Sequence, residues 1–324
     1  MSTLVSGQTA VPVWQHADGA VAARLDGGRW HFQHGPIDLI IGADGDEDAV
    51  KQALQAAWQK FTGILTELVA QLPALRRPVV LASTLPAALC RPSTELPNAA
   101  DPIWQRVQGE TARRMLAASL PYAPHLYITP MVAVAGAVAD EIIAVFAAQP
   151  GIQRAYVNNG GDIALYLAQD AQYRVGLFAD VSRPGAPQAA SDLDGGFTVS
   201  AASPVRGVAT SGWRGRSFSL GIADSVTVLA STAAGADAAA TVIANQVTVQ
   251  HPAIRRAPAD TLKDDSDLGQ ALVTVEVGSL PEHVVEQALA RGAAQAQALL
   301  DAGLIEGAAL VLQGQHRVVL PSTP

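Results

Sequence analysis

The chain has 324 residues, of which 49% are apolar and 15% charged, and its formal net charge is −8. This length allows one large domain or two smaller ones around a substantial core. The acidic balance argues against a nucleic-acid surface, which is typically basic, and gives no reason to expect binding to anionic membranes. The single cysteine, Cys90, excludes an intramolecular disulfide and a cysteine-based metal cluster.

The first twenty residues lack the basic start and apolar core of a secretory signal, and they contain no cysteine for lipid attachment. No run reaches about 18 uninterrupted apolar residues, so we expect no membrane-spanning segment. These features favour a cytoplasmic protein.

The first 120 residues predict short strands followed by two helices. Strands and turns are expected up to residue 45, where acidic residues precede a 3.6-residue apolar pattern over 49–72 and mark a helix start. The predicted apolar stripe of this helix is Ala49, Leu54, Ala57, Trp58, Phe61, Ile64, Leu65 and Leu68. A proline-rich connector is expected over 72–100, with a second helix over 101–119.

The middle of the chain predicts a buried helix and a series of strands. An irregular segment over 121–130 leads into residues 131–149, which are apolar almost all round, as in a buried helix. Strands are expected at 154–159, 162–168, 173–180, 197–200, 207–212, 217–221 and 224–231, with a surface loop over 182–196.

The last third predicts two helices and a hairpin. One helix should begin after Gly235, and an amphipathic helix should end at Gly303. An exposed insertion is expected over 252–269, and a hairpin turn at Gln313 and Gly314. Because the strands come in adjacent groups instead of strict alternation with helices, the pattern favours an α+β fold with antiparallel sheets.

The stretch AYVNNGGDIALYL, residues 155–167, contains a polar break between two apolar runs. The break includes Asn159, Gly160, Gly161 and Asp162. Asn-Gly and Gly-Gly pairs tolerate positive φ and are favoured in tight hairpin turns. Two interpretations are open: a plain turn, or a loop that binds a ligand.

A second candidate feature is GVATSGWRGRS, residues 207–217. Thr210 and Ser211 offer hydroxyl groups, and Gly212 allows a ligand to approach the backbone. Arg214 and Arg216 could each hold a phosphate through two parallel hydrogen bonds. The alternation of the two arginines is equally typical of a solvated strand face.

The third feature lies in GADAAATVIAN, residues 235–245. Asp237, Thr241 and Asn245 are spaced by four residues, so they share one face of a helix. Carboxylate, hydroxyl and carbonyl oxygens are ligands that suit Mg²⁺. The alternative is an acid near a helix N-terminus, favoured by the dipole alone.

The order of these motifs resembles the ApbE-like superfamily, whose characterised members are FAD:protein FMN transferases. The resemblance rests on NNGGDIAL, GVATSG and ADAAATVIA, and on VAVAGAVAD, which ends at Asp140. It covers residues 128–245. It implies a T-fold-like arrangement of antiparallel sheets and packed helices, in one domain with an N-terminal lobe (1–120) and a motif-bearing lobe (121–324).

The resemblance also implies a site and a reaction. Asp237, Thr241 and the main-chain carbonyl of Ala240 would bind Mg²⁺, while the Gly-Gly and Thr-Ser-Gly turns would line a cleft for FAD. The family reaction moves FMN from FAD onto a threonine hydroxyl of an acceptor protein and releases AMP. The metal would neutralise the pyrophosphate and polarise the phosphorus.

The sequence departs from the family at two points. Ala135 stands before Gly136 where the family has a lysine, and no His-x-x-Asp-Pro-x-x-Gly motif follows the Thr-Ser-Gly turn, although Asp224 lies in that region. Three functions are therefore open: a Mg²⁺-dependent flavin-nucleotide enzyme, a non-catalytic binder of flavin or another anionic small molecule, and the fold reused for a different substrate. His125 is a candidate general base or a structural histidine.

Overall fold

A ten-stranded antiparallel sheet forms the backbone of the fold in the computed structural model, which describes residues 12–80, 105–177, 195–264 and 266–321. The strands are β1 (Pro12–Gln15), β2 (Val21–Arg24), β3 (Trp30–His34), β4 (Ile37–Gly45), β5 (Ile152–Asn159), β6 (Asp162–Leu167), β7 (Gln172–Leu177), β8 (Gly195–Ser200), β9 (Gly207–Ser211), β10 (Ser225–Ala230), β11 (Ile254–Pro258), β12 (Leu272–Val277), β13 (Gly307–Leu312) and β14 (Gln315–Val319). The large sheet has the order β1-β2-β3-β4-β5-β6-β9-β10-β13-β14, while β7 with β8 and β11 with β12 form two hairpins. This confirms the predicted α+β class.

One face of the sheet is covered by helices. The helices are α1 (Glu47–Ala70), α2 (Leu72–Leu75), α3 (Glu110–Ser119), α4 (Val134–Ala147), α5 (Ala233–Gln246) and α6 (Glu282–Asp301). Phe32, Ile41 and Val157 on the sheet belong to the same buried cluster as side chains of all six helices. Strands β4 and β5 pair directly, so the sheet crosses the expected lobe boundary, and the division into two lobes stays a prediction.

The β7–β8 hairpin covers part of the opposite face. Leu165 on β6 and Val208 on β9 point away from the helices and pack with Val175 and Val199 of the hairpin in a second, smaller cluster. Strands β6 and β9 pair at Ile163–Val208 and Ala164–Gly207.

The apolar helix at the centre of the sequence is built into the core. Residues Pro130–Ala147 have a mean hydropathy of 1.8 and would suffice in length and composition to cross a membrane, but 61% of this stretch is buried inside the fold. A 3₁₀ turn over Pro130–Ala133 precedes α4. The helix contacts α1, α3 and α5 as well as β5 and β6.

Most predicted elements are confirmed, including α1 with its Asp46 cap, α4, α6, and the β13–β14 hairpin with positive φ at Gln313 and Gly314. In the predicted α1 stripe, Trp58 and Leu65 are half-buried and the other members are buried. Cys90, most of the proline-rich connector and the loop over 182–194 lie outside the described residues.

Several predicted boundaries are wrong. Residues 217–221 form no strand, because the Asn245 side chain accepts a hydrogen bond from the Leu220 N–H at 2.9 Å and holds the segment as a loop. Helix α5 begins at Ala233, two residues before Gly235, because Thr232 supplies its cap. The expected insertion over 252–269 includes β11, which pairs with the unpredicted β12. Helix α3 begins only at Glu110.

Helices α4 and α5 cross so closely that one glycine decides the contact. A Cβ on Gly136 would lie 2.3 Å from the Ala233 carbonyl oxygen, whereas a Cβ on Gly63, also helical, would meet nothing within 4 Å. We expect Gly136→Ala to lower the free energy of unfolding by about 1–3 kcal/mol or more, because two backbones must separate.

Gly63→Ala is the matched control. It adds the same methyl group to an exposed helical position and should raise the free energy of unfolding by up to about 1 kcal/mol through helix propensity. Urea denaturation of both variants measures the difference. Equal effects of the two substitutions would contradict the close crossing of α4 and α5.

Candidate functional site

The N-terminal ends of α4 and α5 meet beside the β5–β6 turn. Asp140 on α4 is 7% exposed, and its two carboxylate oxygens accept hydrogen bonds from Ala233 N–H at 2.9 Å and Ala234 N–H at 2.8 Å. Burial raises the pKa of Asp140 to about 6, against the opposing effect of these two hydrogen bonds.

The N–H groups of the first three residues of α5 all have acceptors within the fold. Besides the two amides that bind Asp140, Gly235 N–H donates to Thr232 Oγ1 at 3.0 Å. Ala236 N–H donates to the Thr232 carbonyl at 3.0 Å, which is the first hydrogen bond of the helix itself. The amides of Ala233, Ala234 and Gly235 are among the donors that a helix N-terminus leaves free and that commonly bind phosphate. Here they are used internally, so an anionic ligand must find its positive partners elsewhere.

Asp237 lies one turn into α5 and faces the start of α4. Its Oδ2 accepts a hydrogen bond from Gly136 N–H at 3.0 Å. Burial and then the negative charge of Asp162 raise the pKa of Asp237 well above its ordinary value, although the amides of Gly136 and Ala135 oppose this. Two carboxylates thus share one partly buried space.

The NNGGD break is a tight hairpin turn and also places side chains at the site. Gly160 and Gly161 form a two-residue loop with φ of 66° and 116°, conformations that favour glycine. Asn159 and Asp162 pair across the hairpin, so their side chains share one face. Asn159 donates to the Ala135 carbonyl at 3.1 Å, which ties the turn to α4.

Asp162 is the carboxylate that joins the turn to β9. The pKa of Asp162 is raised to about 7 by burial, while the Thr210 N–H and the charge of Arg216 favour its ionised form. Its neighbours are therefore a main-chain donor, a cation and a second carboxylate.

The Thr-Ser-Gly segment contacts Asp162 through the Thr210 N–H and not through the Thr210 hydroxyl group. The Oγ1 atoms of Thr210 and Thr227 are 2.9 Å apart, on the sheet face away from the helices, whereas Ser211 lies on the helix-covered face. A Cβ on Gly212 would lie 2.3 Å from the Asp224 carbonyl oxygen, so Gly212 allows a close approach of backbone. The Thr210 hydroxyl thus does not face Asp162.

The two arginines of this loop have different surroundings. Arg216 is exposed, and its Nη2 lies where a Cβ on Gly160 would be only 1.8 Å away. The Arg214 guanidinium lies 4.9 Å from the centre of the Trp213 ring and its Nε is 4.0 Å from Asp224 Oδ1. The arrangement therefore brings Arg216 to the turn and anchors Arg214 elsewhere.

The remaining predicted residues of α5 differ in their availability. Thr241 is half-buried and lies one turn beyond Asp237, whereas Ala240 is 1% exposed and its carbonyl belongs to the helical hydrogen-bond ladder. The Asn245 Oδ1 accepts a hydrogen bond from Leu220 N–H in the 217–221 loop. His125 is exposed, and the described hydrogen bonds do not join its ring to the three aspartates.

The donor set fits Mg²⁺ better than a softer metal. Asp162, Asp237 and Thr241 offer hard oxygens. A divalent cation would relieve the electrostatic repulsion between the two carboxylates. No group of three or more His, Cys, Asp or Glu able to hold a metal occurs among the described residues. Mg²⁺ is usually bound through one or two carboxylates, with waters and substrate phosphates supplying the other oxygens.

A protein-family model described as AbpE bacteria matches residues 22–318. The chain belongs to this family. Membership confirms the resemblance drawn from the motifs and extends it well beyond residues 128–245, into the N-terminal region.

Relatives of this AbpE family member include UPF0280 proteins of methanogens. That of Methanopyrus kandleri is 34% identical over 169 residues, or 51% of this chain and 62% of the relative. That of Methanospirillum hungatei is 37% identical over 123 residues, covering 38% and 46%. That of Methanothermobacter thermautotrophicus is 41% identical over 121 residues, covering 36% and 42%. The matches thus span less than two thirds of these relatives.

One solved structure, the apo form of the Pseudomonas stutzeri flavinyl transferase ApbE, matches 95% of this chain and 97% of its own, with a TM-score of 0.39 and 14% identity.

Sequence reasoning missed two contributors to the site of this AbpE family member. In the sequence, Asp140 stands out only as the end of a motif, because its role as the cap of α5 depends on how two helices cross. The tie from Asn159 to the Ala135 carbonyl likewise joins residues 24 positions apart. The glycine four residues before Asp140 was the available signal, because a glycine within an apolar helix often marks a close helix contact.

The raised pKa of Asp162 predicts a pH dependence of stability. An acid whose pKa rises from 3.8 unfolded to about 7 folded binds more protons in the folded state over that interval. Its stabilising contribution is full at low pH and is lost as the pH rises through 7. In EDTA, we expect the free energy of unfolding to fall across this window, and Asp162→Asn to flatten the fall.

Mg²⁺ should act in the opposite direction. Because a cation binds the ionised carboxylates, millimolar Mg²⁺ should raise Tm more at about pH 7.5, above the pKa of Asp162, than at about pH 5, below it. Differential scanning fluorimetry of wild type and Asp162→Asn measures both effects. A Mg²⁺ effect independent of pH would contradict the site.

Proposed function

We propose that this protein is a Mg²⁺-dependent enzyme acting on a flavin nucleotide, and that its reaction is the transfer of FMN from FAD to a hydroxyl group of an acceptor protein. One observation carries the proposal: the Asp162 carboxylate lies near enough for its charge to raise the pKa of Asp237, and Arg216 lies beside the glycine turn that precedes Asp162. Membership of the AbpE family and the motif resemblance supply the substrate class.

In this proposal, Asp237, Thr241 and Asp162 hold the metal, with the Ala240 carbonyl as the further ligand implied by the resemblance. When bound, Mg²⁺ neutralises the pyrophosphate and polarises the phosphorus. The amides of Ala135 and Gly136 fix the Asp237 carboxyl against α4. The hydrogen bond from Asn159 Nδ2 to the Ala135 carbonyl ties the glycine turn to the same end of α4.

The phosphate charge of the nucleotide is met by few protein groups. The first-turn amides of α5 are occupied by Asp140 and Thr232. Arg216 lies over Gly160, whose missing side chain leaves room for it. We therefore propose that Arg216 binds a phosphate oxygen, that the glycine backbone lines the ligand, and that the cation is required for tight binding.

The chemical step is a substitution at the flavin-side phosphorus of FAD. The acceptor hydroxyl oxygen forms a new P–O bond, the bond from that phosphorus to the bridging oxygen breaks, and AMP leaves with the bridging oxygen. The hydroxyl proton is released to solvent. The residues of this chain contribute positioning and electrostatic stabilisation.

A non-catalytic flavin-binding role is the second candidate, and the missing His-x-x-Asp-Pro-x-x-Gly motif favours it. In its place, Asp224 accepts a hydrogen bond from Gln313 N–H at 2.6 Å and one from Trp213 Nε1 at 3.3 Å. Asp224 thus anchors the loop that carries both arginines. AMP release from FAD in the presence of Mg²⁺ separates the candidates: an enzyme accumulates AMP, whereas a binding protein retains FAD in stoichiometric amount.

The proposed partners are a flavin nucleotide and an acceptor protein. A cytoplasmic location is part of the same proposal. Neither nucleic acid nor a membrane is expected as a partner.

The metal requirement gives the first test. Calorimetric titration of wild type with FAD should show binding that depends on Mg²⁺, and Asp237→Asn should lose the Mg²⁺-dependent part. Asparagine retains an oxygen for the Gly136 N–H but lacks the charge that holds a cation. Thermal melting checks that the variant is folded. Undiminished Mg²⁺-dependent binding by folded Asp237→Asn would remove Asp237 from the metal site.

The arginine pair gives the second test. Arg216→Ala should weaken FAD binding roughly ten- to hundred-fold, the usual effect of losing a hydrogen bond to a charged group. Arg214→Ala is the matched control in the same loop, and its effect on FAD affinity should be several-fold smaller because Arg214 is directed to Trp213 and Asp224. The reverse order of the two effects would contradict the proposed phosphate contact.

A further inference from the structure

Helices α4 and α5 exchange hydrogen bonds in a closed ring. Gly136 N–H donates to Asp237 on α5 at 3.0 Å, and Ala233 N–H donates to Asp140 on α4 at 2.9 Å. Gly136 and Asp140 are one helical turn apart, as are Ala233 and Asp237. Each helix therefore carries an aspartate that binds the N-terminal backbone of the other.

The ring leaves little freedom for one helix to move without the other. The missing side chain of Gly136 permits contact with the Ala233 carbonyl, and both oxygens of Asp140 are occupied by α5 amides. A shift of α5 that breaks the Asp140 contacts also displaces Asp237 from the amides of α4. Asp140 on α4 therefore helps to fix the Asp237 carboxyl, because it binds α5 at Ala233, one turn before Asp237.

We propose that Asp140 is a positioning residue, which sets the affinity of the site for a divalent cation by holding α5 so that Asp237 keeps its place against Gly136. This inference deepens the proposed function and rests on it for the identity of the cation. Asp140 itself contacts backbone amides and acts through α5.

Substitutions at Asp140 should have graded effects. Alanine leaves the N–H groups of Ala233 and Ala234 without acceptors in a buried place. Asparagine offers one oxygen, but its NH₂ group then faces the other N–H. Asp140→Ala should therefore disturb the ring strongly, and Asp140→Asn should restore part of the contact.

Two measurements test whether Asp140 acts through the position of Asp237. Hydrogen exchange of the Gly136 amide reports directly on its bond to Asp237, and electron paramagnetic resonance of Mn²⁺ reports cation affinity. In Asp140→Ala, both the Gly136 exchange rate and the Mn²⁺ Kd should rise roughly tenfold or more, as for loss of a buried hydrogen bond. Asp140→Asn should fall between this variant and wild type.

Phe146→Leu is the control for general destabilisation. Phe146 is fully buried at the opposite end of α4, so this variant should lower Tm while leaving Gly136 exchange and Mn²⁺ affinity close to wild type. If Phe146→Leu weakens Mn²⁺ binding as much as Asp140 variants of equal Tm loss do, Asp140 is merely structural and the proposal is overturned.

The outcomes also separate this proposal from the proposed function. Unchanged Gly136 exchange in folded Asp140→Ala, or in Asp140→Asn if alanine prevents folding, overturns the positioning role whatever the metal does. If wild type binds neither Mn²⁺ nor FAD while Gly136 exchange still depends on Asp140, the ring stands as the device that places Asp237 and the proposed metal function fails.

Discussion

The candidate site depends on the packing of two helix N-termini against each other, with one buried aspartate from each helix between them. Positive helix ends would repel if they met without compensation, and buried carboxylates would be costly without donors. Here the carboxylates and the helix ends stabilise each other: Asp140 accepts hydrogen bonds from the first amides of α5, and Asp237 accepts one from an amide at the start of α4. The glycine at position 136 makes the close contact possible.

This arrangement has a chemical consequence for ligand recognition. A helix N-terminus is a common phosphate site, yet in this fold the α5 amides are consumed by the packing. The site instead contains the carboxylates of Asp162 and Asp237, with Arg216 at its edge. A phosphate ligand would be repelled by these carboxylates unless a cation neutralised them. In the proposed function, nucleotide binding would therefore depend on a divalent cation.

Sequence patterns predicted the parts of the site that depend on local periodicity. The four-residue spacing places Asp237 and Thr241 on one helix face, and the NNGGD segment forms the expected hairpin turn. The patterns could not predict contacts set by tertiary packing: the different surroundings of Arg214 and Arg216, the Thr210 side chain on the far face of the sheet, and Asn245 bound to the 217–221 loop. The cap at Thr232 was missed because α5 begins within a run of small residues, where the start of a helical pattern is weakly marked. Strand β12 was also missed.

The proposed metal site is tested most directly by locating a divalent cation, through anomalous diffraction, in crystals of the wild-type protein soaked in Mn²⁺. We predict one peak bounded by the Asp162 and Asp237 carboxylates and the Thr241 hydroxyl, with the Asp140 contacts to α5 intact. Absence of a peak there in crystals that bind Mn²⁺ elsewhere, or a peak whose ligands exclude Asp237, would contradict the central claim.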